Sequence, residues 1–291
     1  MPAPPADARS QLAELIAVDA CGDDGVLLRV RPDAPLTEAG AALAPNRFFM
    51  LRREDGLSPA IPRPFSIYRE ADGDLIFLIK VIGKGTRALA ESLPGERLRL
   101  IGPLGLGWPD FTAPGEDDDA PWVFLAGGIG SAPFYMAVES MTRAADEAEA
   151  RGEAPGEAPY LLYGAATEGF LYDLDAFAEL DCSLHVATDD GSLGFHGNVL
   201  ALLEHLMASG LIPERVRLAA CGPLPMLRAI SSWAAARELV CWASLEELMG
   251  CGVGICNGCV VETNPDACLG GWPNVKACVE GPAFRTDTVL L

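Results

Sequence analysis

The sequence predicts a multidomain α+β protein: an N-terminal antiparallel β-barrel, a doubly wound parallel α/β sheet and a small C-terminal domain built around cysteines. Three observations carry this reading. The first third holds short Val-, Ile-, Leu- and Phe-rich runs broken by Pro, Gly and Asp. The middle alternates strand-like and helix-like segments. The C-terminal part contains Cys251-Gly-Val-Gly-Ile-Cys256-Asn-Gly-Cys259. The corresponding boundaries are 1–113, 114–240 and 241–291, reasonable for a chain of 291 residues.

In the first part, strand-like runs lie at 25–30, 47–51, 74–82 and 97–101, and a small barrel is the natural way to close such a set. Arg63, Pro64, Phe65 and Ser66 bring a cation and a hydroxyl to the start of a strand. Gly83-Lys84-Gly85-Thr86 opens a helix expected over 87–93, and the free N–H groups of a helix N-terminus favour an anion. An arginine beside such a terminus is what a dinucleotide pyrophosphate needs. Taken singly, Arg63 reads equally as a surface charge and the glycines as turn residues.

The acidic, Pro-containing segment 112–121 marks a linker or exposed loop. Beyond it, strands are expected at 122–126, 160–163, 184–188, 216–221 and 239–243, with helices at 134–149, 199–207 and 224–237. Strand and helix in alternation imply a parallel sheet, whose ligands bind beyond the carboxyl ends of the strands. At those ends stand Gly127, Gly128 and Gly130; Gly164-Ala165-Ala166; Asp189-Asp190-Gly191-Ser192; and Cys221, Gly222 and Pro223. One glycine turn is common in any α/β domain, but several on one edge favour a nucleotide. The turn at Gly127 lacks the strict dinucleotide fingerprint, with Pro133 where the last glycine would fall. The Glu- and Pro-rich stretch 145–159 reads as a solvated helix end and loop.

In the cysteine loop, Cys251, Cys256 and Cys259 have four and then two residues between them, the plant-type spacing for a 2Fe-2S cluster. Gly252, Gly254 and Gly258 supply the backbone freedom for a tight wrap around an anionic core. Zinc is the rival, but structural zinc sites favour paired short knuckles, and Cys251 to Cys256 is not one. On spacing, either Cys268 or Cys278 closes the site. Gly281-Pro282 behind Cys278 favours that residue, whereas Asn264-Pro265-Asp266 before Cys268 reads as a loop tip.

Forty-one acidic residues against 21 basic ones, a net charge of −20, argue against nucleic acid or an anionic membrane as partner. The N-terminus lacks a signal-peptide pattern, no apolar run reaches membrane-spanning length, and nine cysteines, several in apolar strands, suit a reducing cytoplasm. The three histidines, His196 among them, have no metal-like spacing, and neither a nucleophile elbow nor a carboxylate pair supports hydrolysis. A nicotinamide gives two electrons as hydride and a 2Fe-2S cluster accepts one at a time, so a flavin is expected between them.

Arg63-Pro-Phe-Ser66, Gly83-Lys-Gly-Thr86, Gly102-Pro-Leu-Gly105, Gly127-Gly-Ile-Gly130, Thr188-Asp-Asp-Gly-Ser192, Cys221-Gly-Pro223 and the loop ending in Glu280-Gly-Pro282 together resemble the electron-transfer subunits of class 1B dihydroorotate dehydrogenase. These belong to the ferredoxin reductase superfamily, and the resemblance covers nearly the whole chain. It implies FAD in the barrel, with Arg63 and Thr86 at the pyrophosphate, flanked by Pro64, Phe65 and Gly85, and Ser66 near the isoalloxazine. Leu78, Ile79 and Lys80 would run along the cofactor. It further implies NAD on Gly127, Gly128, Gly130, Cys221, Gly222 and Pro223, and a cluster on Cys251, Cys256, Cys259 and Cys278. No residue is assigned a catalytic role of its own. The implied partner is an FMN-containing dihydroorotate dehydrogenase catalytic subunit, in a cytoplasmic heterotetramer of two of each, and the implied pathway is pyrimidine (UMP) biosynthesis.

Two departures stand out. Ala165-Ala166-Thr167-Glu168 is neutral then acidic where the family often has a basic residue, which disfavours a 2′-phosphate, and the loop from Cys259 to Cys278 is long. The alternative is the small flavin and iron-sulfur subunit of an NAD(P)H-dependent ferredoxin or sulfide oxidoreductase, whose first cluster ligand can be aspartate rather than a cysteine such as Cys251. A third reading is a redox-sensing partner protein without turnover.

Overall fold

A computed structural model describes residues 8–36, 43–55, 60–113, 120–267 and 272–291. The first sheet contains β1 (Arg9–Cys21), β2 (Gly25–Pro32), β3 (Phe48–Arg53), β4 (Arg63–Ser66), β5 (Arg69–Ala71), β6 (Asp74–Lys80) and β7 (Arg97–Leu104). All its pairs are antiparallel, in the order β4-β3-β7-β1-β2-β6-β5. The two edge strands, β4 and β5, are separated in sequence by only Ile67 and Tyr68, so the sheet must curl until its edges meet. Ile67 donates its N–H to Arg47 beside β3, while Tyr68 donates to Ile76 in β6. This seam makes the expected barrel. Its interior is filled by Leu15, Leu28, Phe49, Phe77, Ile79 and Leu100, all fully buried, with Phe49 and Phe77 edge to face at 5.9 Å.

The longest strand, β1, was not expected. Among its residues Ala and acidic side chains dilute the apolar alternation, and a register shift between Leu15 and Ala17 breaks the period of two. The barrel helix α1 (Lys84–Ala90) begins three residues before the expected 87. The Thr86 hydroxyl accepts N–H bonds from Ile82 and Gly83, which starts the helix inside the glycine stretch.

The second sheet has the order β11-β10-β9-β8-β12-β13-β16. Its strands are β8 (Trp122–Gly127), β9 (Tyr160–Ala165), β10 (Ser183–Thr188), β11 (Phe195–His196), β12 (Arg217–Cys221), β13 (Cys241–Ser244) and β16 (Ala283–Arg285). Every pair is parallel except β13 with β16. Helices α2 (Ala132–Ala150) and α3 (Leu174–Ala178) cover one face, and α4 (Val199–Ala208) and α5 (Leu224–Ala235) the other. Along β8, Val123 and Leu125 pack with α4 and α5, while Phe124 and Ala126 pack with α2. The chain moves outward from β8 through β9 and β10, then returns to β12, so the β8/β12 junction is the topological switch point.

The cysteine segment carries a small ladder, β14 (Val260–Glu262) with β15 (Asn274–Lys276). Because β13 and β16 complete the second sheet, that sheet extends past residue 240, and the cysteine segment is inserted between two of its strands. No helix among the described residues is long and apolar enough to cross a membrane.

Candidate functional site

Motifs far apart in the chain meet where the barrel, the switch point and the cysteine segment abut. At the barrel's edge, a Cβ placed on Gly85 would lie 2.8 Å from Arg63 Nε, so the guanidinium rests directly over the start of α1. The absence of a side chain at Gly85 is what admits it. Arg63 donates to the Ile61 carbonyl at 2.5 Å. Ile61 and Ile82, 57% and 76% exposed, border the spot and present apolar surface. Thr86 is buried, and its hydroxyl is spent on Ile82, Gly83 and the Gly83 carbonyl; it shapes the loop from within. On β6, Ile79 points into the barrel, whereas Leu78 packs toward the second sheet and Lys80 sits over the Phe170 ring at 4.9 Å. Lys80 also lies 3.5 Å from Asp24.

Ser66 leads to residues the sequence did not single out. It donates to Asn46 Oδ1 at 3.3 Å, and Asn46 Nδ2 donates to Ser244 Oγ at 3.0 Å, fully buried and 198 residues away in sequence. Ser244 also reaches the Cys221 thiol, so one polar chain links the barrel, the end of β13 and the switch point. Burial pushes the Cys221 thiol up, and the nearby Glu246 carboxylate adds to this. Glu246 keeps solvent access; burial raises its carboxyl, opposed by Lys80.

At the switch point the backbones touch. A Cβ on Gly130 would lie 2.2 Å from the Cys221 carbonyl oxygen, and one on Gly222 would lie 3.0 Å from Gly127 Cα. Gly128 takes the left-handed φ of +54° and faces open space. Pro223 is exposed beside it. Such a surface lets a flat ligand approach the main chain. Farther along the edge, the Glu168 N–H is accepted by Ser192, which itself donates to Asp190, so the two acidic loops are tied together.

The cysteines come together in pairs. Cys251 lies within hydrogen-bonding reach of Cys256, and Cys259 of Cys278. The backbone N–H groups of Val253 and Cys256 point at Cys251 Sγ, at 3.5 and 3.4 Å. Left-handed residues at Gly252, Gly254 and Asn257 turn the loop so that these N–H groups face the sulfurs. Backbone N–H groups led by Gly258 bring the Cys256 thiol down to about 7. The Cys278 thiol donates to Cys259, which lowers Cys259 to about 6 and raises Cys278. Cys256 and Cys259 are thus drawn toward the thiolate, and no three His, Cys, Asp or Glu side chains among the described residues form a site for a single metal ion. Two sulfur pairs with inward N–H groups suit a binuclear iron-sulfur core, in which each iron takes two thiolates. Cys268, the other candidate ligand, lies outside the described residues. The loop rests on the barrel: a Cβ on Gly252 would meet Met50 at 2.6 Å, and Leu106 N–H donates to the Gly281 carbonyl at 2.7 Å. That bond brings Gly102-Pro-Leu-Gly105 against Glu280-Gly-Pro282.

A curled antiparallel barrel, a parallel nucleotide-type sheet and a cysteine module together define a ferredoxin-reductase-type electron-transfer protein. The family model for the iron-sulfur cluster binding domain of dihydroorotate dehydrogenase B matches residues 246–290. The dihydroorotate dehydrogenase B (NAD(+)) electron transfer subunit of Desulforamulus reducens is 34% identical over 260 residues, 89% of this chain and 90% of that one. The subunit of the same description from Enterococcus faecalis is 36% identical over 231 residues, 79% and 80% of the two chains. The structure of an NADH-dependent reduced ferredoxin-NADP oxidoreductase superposes with a TM-score of 0.73 at 25% identity, covering 95% of this chain and 89% of that one. The ferredoxin reductase of carbazole 1,9a-dioxygenase shares the fold, with a TM-score of 0.63 over 80% of this chain and 67% of that one. The chain belongs to the family of dihydroorotate dehydrogenase B electron transfer subunits, oxidoreductase components with flavin, NAD and iron-sulfur sites.

Proposed function

We propose that this chain carries electrons between NAD and an FMN-containing dihydroorotate dehydrogenase catalytic subunit, in a cytoplasmic assembly of two copies of each that serves pyrimidine biosynthesis. The observation that carries the reading is that three parts join: the strand that begins at Arg63 is linked through Ser66, Asn46 and Ser244 to the Cys221 junction, and the cysteine loop rests on Met50 of the barrel. FAD supplies the exchange between hydride transfer and single electrons, and the 2Fe-2S cluster supplies one-electron transfer. Arg63, over the N-terminus of α1, holds the pyrophosphate with a charge-assisted contact, and Gly85 leaves room for it. Thr86 keeps the loop in shape, Pro64 and Phe65 set the strand, and the Ser66–Asn46–Ser244 chain fixes the polar wall nearest the second domain. Leu78 and Lys80 line the same wall while Ile79 anchors the strand inside the barrel. Gly127, Gly128, Gly130, Gly222 and Pro223 offer bare backbone to the nicotinamide nucleotide, with the Cys221 thiol held neutral beside them. Cys251, Cys256, Cys259 and Cys278 are the ligands of the cluster.

Cys256 is the exposed ligand, and Leu248 and Ile255 beside it are 87% and 80% exposed. Electron transfer weakens steeply with distance, so the catalytic subunit covers this face. Arg63→Ala is expected to lower the FAD retained through purification by about tenfold, the equivalent of ~1.4 kcal/mol, with cluster content unchanged; flavin content equal to wild type would remove Arg63 from the site.

The whole reading is tested by co-expression with the catalytic subunit. The complex should reduce NAD with dihydroorotate, and neither chain alone should do so. A second reading, an NADH-linked ferredoxin oxidoreductase subunit, draws on the 0.73 TM-score likeness. It would prevail if the chain formed no such complex yet reduced ferredoxin from NADH.

A further inference from the structure

The segment from Cys251 to Cys278 contains a single cationic residue, Lys276, amid Glu262, Asp266 and the nearby Glu246, Glu247 and Glu280. Its side chain turns back across the module, and Nζ donates to the Gly254 carbonyl at 2.6 Å, between the first and second cysteines of the loop. Its own N–H is accepted by Glu280 Oε2 at 2.7 Å, which fixes the backbone two residues before Cys278. Gly254 adopts the left-handed φ of +80°, and a Cβ there would strike Val279 at 2.7 Å, so this turn of the loop is packed against the residue that follows Cys278. Among the described residues no carboxylate pairs with Lys276. A cation without a carboxylate partner among the described residues is thus fastened onto the cysteine loop of a strongly acidic chain.

We infer that Lys276 is a positioning residue that sets the redox poise of the iron-sulfur site, holding its reduction potential up by favouring the more negative, reduced state. This rests on the ligand assignment made above. Net charge is one of the levers by which a protein tunes such a site. A unit charge within a partly desolvated loop is screened far less than one on the open surface. Its hydrogen bond to Gly254 ties that charge to the loop, so its contribution does not average away through side-chain motion.

The test is a potentiometric titration of the full-length, FAD- and cluster-loaded chain, read by electron paramagnetic resonance of the reduced cluster, for wild type, Lys276→Gln and Lys276→Arg. Gln removes the charge and keeps a donor; Arg keeps both. At a fixed poise near the wild-type midpoint, the reduced-to-oxidised ratio of Lys276→Gln should fall by about three- to tenfold, a tenfold change being ~59 mV for one electron. Lys276→Arg should remain near wild type. A Gln variant with a full cluster and an unmoved midpoint overturns the inference, as does an Arg variant shifted as far as Gln. Loss of the cluster in both variants would make Lys276 a purely structural clamp and also overturn it. Loss in Gln alone, with Arg fully loaded, would make the charge a condition of cluster assembly rather than of its potential and would likewise overturn the inference. Absence of a cluster from wild type would instead refute the ligand assignment, which keeps the two failures apart.

Discussion

Cys256→Ser should remove the 2Fe-2S absorbance and the reduced-state paramagnetic signal while leaving the chain folded and FAD bound. The fold has little to lose at this position: the Cys256 side chain is exposed, and the loop is shaped by the glycines and Asn257. The cluster has much to lose. Losing groups that merely orient metal ligands costs about 10–100-fold in affinity, and here a ligand itself goes. The thiol at 256 is also poised for the task, since N–H groups led by Gly258 bring it down to about 7, a range in which the thiolate is populated at neutral pH. A serine hydroxyl does not ionise there. Measured iron content and the melting temperature separate the outcomes; a normal cluster spectrum in the variant would break the assignment. The same experiment on Cys278, buried beside Cys259, should also cost melting temperature because that side chain belongs to the core.

Gly130→Ala is expected to damage the second domain at its switch point. Its Cβ would fall 2.2 Å from the Cys221 carbonyl oxygen and 2.7 Å from Gly222 N. Both are backbone atoms, so relief requires β8 and β12 to part at the switch point. Overpacking of a well-filled interior costs about 1–3 kcal/mol, and the site built on that junction should suffer more than global stability does. The expected result is a KM for NADH raised by about tenfold or more, FAD and cluster contents near wild type, and a melting temperature lowered by several degrees, roughly as that energy implies. Unchanged KM and melting temperature would show that the junction has slack and that nicotinamide binding does not depend on it.

The features legible in the sequence share one property: local residue types at short spacing. The Cys251, Cys256 and Cys259 triplet, the glycines at 127–130 and the Arg63 and Gly83–Thr86 motifs each declare a chemistry within a few residues. The alternation in the second domain likewise declares a parallel sheet, and β8, β9, β10 and β12 lie within a residue or two of their expected places. Encounters across the fold left no such mark. Asn46 looks like any loop asparagine, yet it is buried and bridges Ser66 to Ser244. Lys276 reads as an ordinary lysine until the turn of the loop brings it to Gly254. Glu246 stands in an acidic pair, Glu246-Glu247, and only the approach of β6 with Lys80 gives it a distinct environment. The strand β1 was hidden for a different reason, because its buried side is marked chiefly by Ala13 and Leu15. The last strand of the second sheet was hidden too, since β16 pairs with β13, expected at 239–243, only after the whole cysteine segment has intervened.

The proposed electron path runs from the nicotinamide nucleotide through the flavin to the iron-sulfur site within this one chain. It is tested most directly by anaerobic addition of NADH to the purified, cofactor-loaded chain, followed by visible absorbance and electron paramagnetic resonance. The flavin absorbance should bleach and a reduced 2Fe-2S signal should appear. A chain holding both cofactors in which neither signal changes with NADH would contradict it.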